Sequence, residues 1–168
     1  MSDVDTRLES LLGAALKRRG WTISAAESCT GGLVLSRLTD IPGSSAYVTG
    51  GAVTYSNAVK RDLLGVSDFV LERFGAVSPQ TAEAMARGAL DLFETELALS
   101  ITGIAGPDGG TAEKPVGLTY IAVAGADGII ADGVIVRRYM WSGDRLANKA
   151  ASADAALQLA LEIVGIDA

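Results

Sequence analysis

The pattern of apolar and polar positions along the chain switches repeatedly between helical and strand periodicity. A first amphipathic helix, closed by Gly20, is predicted by the spacing of Val4, Leu8, Leu11, Leu12, Ala15 and Leu16. The pattern then predicts, in chain order, a strand over 21–26, a helix over 33–38, a strand over 47–56, helices over 57–64, 67–74 and 79–96, strands over 97–102, 116–124 and 129–139, and a last helix after residue 142.

Local signals mark where several of these elements begin and end. Asn57 and Ser142 are predicted to cap the helices that follow them, and Ser78-Pro79 is typical of a helix that starts with a cap and a proline. The turn over 125–128 is short enough for its flanking strands to form an antiparallel hairpin.

Helices that alternate with strands indicate a fold with helices on both sides of a sheet. We therefore predict an α/β fold with three layers, α/β/α, around a mixed sheet that holds one hairpin at an edge or at the centre. No repeat, linker or low-complexity segment interrupts the pattern, so residues 1–168 are predicted to form a single domain.

Composition and charge narrow the class of protein. The 168 residues are 49% hydrophobic and 20% charged, which excludes a disordered chain, and the net charge of −6 argues against a nucleic-acid partner. No apolar run reaches the roughly 18 residues of a membrane span, and the N-terminus lacks the apolar centre of a signal peptide, so we expect no membrane partner and a cytoplasmic protein. The alanine-rich last helix and the high apolar content predict a homodimer or a higher homo-oligomer.

The counts of two residue types restrict the possible chemistry. The chain has no histidine and one cysteine, Cys29, which excludes histidine-based triads, histidine-ligated zinc and paired-cysteine metal motifs. Proton transfer must therefore use lysine, tyrosine, a carboxylate or water. We predict no metal site and no cofactor.

The turn Glu27-Ser28-Cys29-Thr30-Gly31-Gly32 lies between a predicted strand and a predicted helix. At such a corner the free N–H groups of the helix start stabilise an anion, so Ser28 is a candidate nucleophile. The alternative is that Ser28 and Thr30 only cap the helix. Cys29 is a rival nucleophile, or else a small buried apolar residue.

Without histidine, an activated serine needs another base, and Lys60 is a candidate one turn into a short helix. A lysine that is neutral at pH 7 costs about 4.6 kcal/mol, which burial against apolar walls can supply. The alternative is an ordinary solvated lysine. Tyr55 is expected either to share a proton network with Lys60 or merely to pack.

Two further features favour an anionic ligand. The glycine-rich loop over 103–111 follows a predicted strand and can present successive N–H groups to an anion, although a plain turn is equally consistent with it. Arg145 can hold a phosphate with its planar guanidinium, or it can be an ordinary surface charge.

Together, the segments 26–66, 74–85, 100–117 and 141–145 closely resemble the C-terminal domain of the competence-damage-inducible protein A (CinA) family. The similarity runs in matching order from about residue 5 to residue 164. It implies a stand-alone form without the N-terminal domain of longer members. It also implies hydrolysis of the carboxamide of nicotinamide mononucleotide, a small-molecule nucleotide substrate, to nicotinate mononucleotide and ammonia.

The resemblance assigns roles to individual residues. Ser28 falls on the position of the nucleophile, Lys60 on that of the base, and Tyr55 beside them in the catalytic set. Other residues that match the family pocket are Ser45, Thr102, Gly106 and Arg145. We expect the N–H groups of Thr30, Gly31 and Gly32 to hold the oxyanion, and the loop from Gly103 to Gly110, or Arg145, to hold the phosphate.

The sequence departs from the family pattern at Lys149, where many members have a second arginine, and this concerns the phosphate contact. Two other functions remain open. One is a catalytically silent nucleotide-binding or regulatory module of the same fold, and the other is a thiol enzyme that uses Cys29.

Overall fold

The computed structural model describes residues 5–165, so Val4, expected in the first helix, lies outside the described residues. The elements in chain order are α1 (Leu8–Arg19), β1 (Ile23–Glu27), α2 (Leu33–Thr39), a 3₁₀ turn (Ser44–Ala46), β2 (Val48–Val53), α3 (Asn57–Leu64), α4 (Asp68–Phe74), α5 (Pro79–Phe93), β3 (Leu97–Gly103), β4 (Leu118–Gly125), β5 (Val134–Met140) and α6 (Arg145–Val164).

The five strands form one mixed sheet in the order β2-β1-β3-β4-β5. β1 pairs in parallel with both β2 and β3, whereas β4 is antiparallel to β3 and to β5. The predicted hairpin is thus confirmed as β4–β5, and it lies at one edge. Its connection is longer than expected, because residues 126–133 fold as a broad turn that buries Ile130 in the core instead of extending β5.

Helices cover both faces of the sheet, which confirms the three-layer α/β/α prediction. α1, α2 and α6 pack on one face, and α5 packs on the other with α3 and α4 against it. The first face is filled by large aliphatic side chains such as Leu99 and Ile121. The second face carries small residues such as Ala98 and Ala122, which let α5 lie close to the strands.

Two of the predicted helix caps are wrong by one or two residues. Ser56, not Asn57, caps α3 by accepting a hydrogen bond from the N–H of Val59 at 3.2 Å. Asp144, not Ser142, caps α6. In both cases the capping residue is the one that has an extended backbone and reaches the third N–H of the helix. The predicted cap at Ser78 is confirmed.

The alanines of α6 bear on the predicted oligomer. Ala153, Ala156 and Ala160 are fully buried within a single chain, so they do not themselves require a partner subunit. The homo-oligomer therefore stays a prediction. In the part of the chain that the structure describes, no helix combines the length and the hydropathy needed to cross a bilayer.

Candidate active site

The candidate site lies where the carboxyl ends of the parallel strands β1, β2 and β3 meet. After β1 the chain turns into α2 on one face of the sheet, and after β2 it turns into α3 on the other, which opens a crevice between the two corners. The crevice holds a pocket of about 260 Å³ lined by Ser28, Cys29, Tyr55, Lys60, Ala76, Val77, Thr102, Gly103, Ile104, Ala105, Gly106, Asp108, Gly109 and Arg145.

Ser28 and Lys60 meet inside this pocket although 32 positions separate them in the sequence. Lys60 Nζ donates to Ser28 Oγ at 3.0 Å, and it also donates to the carbonyl oxygens of Thr54 at 2.7 Å and Tyr55 at 3.2 Å. The lysine side chain is only 1% exposed. The alternative of a solvated surface lysine is therefore wrong.

Lys60 is buried on the inner face of α3. Lys60 and Leu64 lie one turn apart on the inner face, whereas Val59 and Leu63 point outward. No carboxylate forms an ion pair with the lysine among the described residues. Burial away from water lowers the pKa of Lys60 to about 8, so a large fraction of the amine is neutral near that pH.

Glu27 shapes the nucleophile turn from the opposite side. This carboxylate is fully buried, and it accepts hydrogen bonds from the N–H groups of Gly32 at 3.0 Å, Val34 at 3.2 Å and Leu35 at 2.8 Å. The positive end of α2 is thus already satisfied by Glu27. Sequence reasoning gave this residue no role. The sequence did contain a signal for this role, because Glu27 is a carboxylate at the end of a predicted buried strand, shortly before a predicted helix.

The glycines of the turn do not have the role we expected. The N–H of Gly31 donates to the carbonyl of Ser28 at 3.1 Å, and the N–H of Gly32 donates to Glu27, so the expectation that these two groups hold an oxyanion is wrong. Their backbones have positive φ angles of 63° and 103°, which favour glycine. Within residues 5–165, the N–H groups of Cys29 and Thr30 donate to no protein oxygen and remain available.

Cys29 and Thr30 have buried side chains beside Ser28. Burial raises the pKa of the Cys29 thiol to about 11, which leaves very little thiolate at neutral pH and argues against the thiol alternative. The Thr30 hydroxyl is 1% exposed and has no hydrogen-bond partner in the described part of the chain. It therefore does not cap α2.

The glycine-rich loop forms the opposite wall of the pocket. Thr102, at the end of β3, donates to the carbonyl of Ala76 at 2.7 Å. A Cβ atom on Gly103 would lie 2.6 Å from the Thr119 hydroxyl, so only glycine fits there. Asn148, which sequence reasoning missed, anchors the loop from α6 by donating to the carbonyl of Ala105 at 3.0 Å.

Arg145 joins three parts of the site at the mouth of the pocket. Its guanidinium donates to the carbonyl of Gly106 at 2.8 Å and to the hydroxyl of Tyr55 at 3.1 Å. Tyr55 is 60% exposed, and its main-chain carbonyl, not its phenol, contacts Lys60. The expected link between Tyr55 and Lys60 thus runs through the backbone.

Ser45 and Lys149 complete the predicted set. Ser45 lies in the 3₁₀ turn before β2, at the opposite end of the sheet, so the structure does not bring it to this pocket and that prediction is wrong. The reason is that β1 and β2 are parallel, which keeps their amino ends together and away from the site. Lys149 Nζ, by contrast, lies 3.7 Å from the position of a Cβ on Gly31, beside the nucleophile turn.

Comparisons with known proteins identify the family of this chain. A family model described as the CinA C-terminal domain matches residues 5–164. The chain is 51% identical over 150 residues to a protein named nicotinamide-nucleotide amidohydrolase PncC from Enterobacter agglomerans, and the match covers 89% of each chain. It is also 51% identical to a putative competence-damage inducible protein from Halothermothrix orenii, but there it covers 86% of this chain and only 34% of the relative.

Solved structures indicate the same family. The crystal structure of the competence/damage inducible protein CihA from Agrobacterium tumefaciens superposes with a TM-score of 0.88 at 41% identity, over 98% of this chain and 100% of that one. A CinA superfamily protein from Klebsiella pneumoniae matches with a TM-score of 0.87 at 31% identity, over 94% and 95% of the two chains. The protein therefore belongs to the CinA C-terminal domain family.

Proposed function

We propose that this protein hydrolyses the carboxamide of nicotinamide mononucleotide to nicotinate mononucleotide and ammonia, with Ser28 as nucleophile and Lys60 as general base. The observation that carries the proposal is the distance of 3.0 Å between Lys60 Nζ and Ser28 Oγ in a buried pocket. The name of the relative from Enterobacter agglomerans, which is 51% identical, supports the same substrate.

The contacts of Lys60 suit a base. A neutral amine has two N–H donors and one lone pair, and the carbonyls of Thr54 and Tyr55 lie in position to accept the two N–H bonds. The lone pair then faces the hydroxyl of Ser28 and takes its proton as Oγ attacks the carboxamide carbon. The resulting ammonium returns this proton to the departing nitrogen as the carbon–nitrogen bond breaks. Water then hydrolyses the acyl ester on Ser28.

The oxyanion of the tetrahedral intermediate needs hydrogen-bond donors close to Ser28. We assign this role to the N–H groups of Cys29 and Thr30, because they donate to no protein oxygen within the described residues. The N–H of the residue that follows a nucleophile fills the same role in other hydrolases that have a serine at a strand-to-helix turn. The role of Gly31 and Gly32 is then to allow the positive φ angles that the turn requires.

We assign the phosphate of the nucleotide to the mouth of the pocket. Arg145 and the glycine-rich loop at Gly106 and Gly109 both line this side, and both favour an anion. Lys149, beside Gly31, adds a second positive charge at the same end of α6. These local charges offset the net charge of −6 of the whole chain, which repels an anionic substrate.

The test is release of ammonia from nicotinamide mononucleotide by the purified protein and by the Ser28→Ala variant. We expect turnover by the wild type and a loss of at least about a thousandfold in the variant. Ser36→Ala, which removes an exposed hydroxyl from α2, is the matched control and should keep full activity. If the wild type binds the nucleotide but releases no ammonia, the protein is instead a silent binding module.

The proposal also covers the location and the oligomeric state of the protein. We propose a cytoplasmic protein that forms a homodimer or a higher homo-oligomer. Phe69 and Leu146 are 68% and 74% exposed, and contact with a second subunit would remove such apolar surface from water. Light scattering of the purified protein tests the oligomer, and a single-chain mass would contradict it.

A further inference from the structure

The charged groups around Lys60 determine how this lysine becomes neutral when the substrate is bound. Besides Lys60, the charged or titratable side chains that line the pocket are Cys29, Tyr55, Asp108 and Arg145, and Glu27, Lys114 and Lys149 lie on the segments next to it. Both oxygens of Glu27 already accept N–H groups of α2, and Asp108 lies on the exposed loop. Among the described residues, therefore, no anion directly opposes a positive charge on the lysine.

The proposed substrate brings a positive charge of its own into this pocket. In nicotinamide mononucleotide the pyridine nitrogen carries the ribose, so the ring is a cationic pyridinium. For Ser28 Oγ to react, the carboxamide carbon must lie within about 3.5 Å of it. Since Lys60 Nζ lies 3.0 Å from that oxygen, the cationic ring is held close to the lysine, in a pocket with little water to screen the two charges.

We propose that the pyridinium ring of the substrate expels the proton from Lys60, so that binding itself produces the neutral amine that activates Ser28. The proton passes from the Lys60 ammonium to solvent, and no other group changes its charge. This inference rests on the proposed function, because only that substrate class carries the cation. The expulsion of the proton makes the site selective for a substrate that is an oxidised, N-substituted pyridinium carboxamide. Only such a substrate brings Lys60 into its reactive, neutral state.

The product should have the opposite effect on the same lysine. Hydrolysis replaces the neutral carboxamide by a carboxylate next to Ser28 and Lys60. The ring of the product is still a pyridinium, but the new carboxylate lies nearer to Lys60 than the ring nitrogen does. At hydrogen-bond distance the carboxylate outweighs the ring, favours the ammonium form and draws a proton back to Lys60. Substrate and product thus bind different protonation states of one side chain, and product should bind more tightly as the pH falls.

The experiment measures protons exchanged on binding, not rates, because ring charge also changes the reactivity of the amide. Binding to Ser28→Ala is followed by calorimetry at about pH 7.5 in two buffers that have different ionisation enthalpies. We expect release of about half a proton for nicotinamide mononucleotide, from a decrease of about one unit in the pKa of Lys60. The reduced mononucleotide, whose dihydropyridine ring is neutral but whose phosphate is the same, is the matched ligand and should release no comparable amount.

Two controls separate the possible failures. The double variant Ser28→Ala/Lys60→Met should bind the oxidised nucleotide without this proton release. Nicotinate mononucleotide should take up as much as about a quarter of a proton on binding to Ser28→Ala, because Lys60 is already mostly protonated at pH 7.5. Equal proton release for the oxidised and reduced ligands would overturn the inference while leaving the proposed function intact. Absence of ammonia release by the wild type would instead overturn the proposed function.

Discussion

Two buried ionisable side chains flank Ser28, and the two corners that hold them differ in how well they satisfy the charge. At the β1–α2 corner, Glu27 accepts three N–H groups from the start of α2. At the β2–α3 corner, Lys60 donates to two carbonyl oxygens and one hydroxyl, with no anion. Both side chains are almost completely buried.

The difference separates a structural charge from a reactive one. The N–H groups that Glu27 accepts are the free donors of a helix start, so its negative charge both completes α2 and meets a favourable dipole. Lys60 has neutral partners only, and burial therefore favours its neutral form. We expect loss of Glu27 to weaken the fold, and loss of Lys60 to strengthen the fold while it removes the chemistry.

The most sensitive test of this contrast is Lys60→Met, which keeps the length of the side chain and removes the amine. We expect turnover of nicotinamide mononucleotide to fall by about a thousandfold, because Ser28 loses its base. The same variant should unfold at a higher urea concentration at pH 7, because the protein no longer buries an ammonium. Turnover that survives this substitution would show that another group is the base.

The pH dependence of the wild type tests the same lysine without mutation. Below pH 8 the value of kcat/KM should fall about tenfold per pH unit, because the amine of the free enzyme must be neutral, and it should level off above pH 8. The pKa is lower in the folded protein, about 8, than the ordinary 10.5, so the unfolded chain binds more protons between these values. The contribution of Lys60 to the free energy of unfolding should therefore rise by about 3 kcal/mol from pH 8 to pH 10.5, while the buried Cys29 thiol, whose pKa is raised, acts in the opposite direction.

The comparison with Lys60→Met isolates this contribution. The difference in unfolding free energy between the variant and the wild type should be largest below pH 8 and should shrink as the pH approaches 10.5. A difference that does not change with pH would mean that Lys60 titrates normally in the folded protein.

Glu27→Gln tests the other corner with a smaller expected effect. We expect a loss of about 2 kcal/mol in unfolding free energy, since N–H bonds to a charged acceptor are replaced by weaker or unmade ones. As a positioning residue for Ser28, it should also lower kcat about tenfold at a temperature where the variant is folded, with little change in KM.

The control for Glu27 is a second carboxylate, Glu96, which lies just before β3 and contacts the residue that precedes β1. Glu96 accepts hydrogen bonds from the N–H and the hydroxyl of Thr22 at 2.6 Å each, far from the pocket. Glu96→Gln should destabilise the fold to a similar extent and leave kcat unchanged. An equal loss of kcat in both variants would show that Glu27 acts only through stability.

The smallest effect is expected at Cys29. Its thiol is buried and its pKa is raised to about 11, so Cys29→Ala should change turnover by no more than about threefold. A thiol mechanism predicts the reverse pattern, in which Cys29→Ala abolishes ammonia release and Ser28→Ala retains it.

The order of helices and strands was predictable from the sequence, because each element buries one face and burial imposes a period on its apolar residues. The ends of elements were less predictable. The apolar pair at residues 129 and 130 resembled the start of β5, but Ile130 is buried from a turn. The caps of α3 and α6 were predicted at the wrong residues, because several neighbouring polar residues are all suitable caps.

The sequence by itself determined the chemical options at the site: with no histidine, a serine at a strand-to-helix corner needs a lysine or a carboxylate as its base. Only the tertiary structure decided which residues meet. Parallel pairing of β1 with β2, with Glu27 opposite Val53, places Ser28 and Lys60 at one edge and leaves Ser45 at the other. Burial of the lysine, which sets its proton affinity, depends on packing between elements distant in sequence, and no local pattern encodes it.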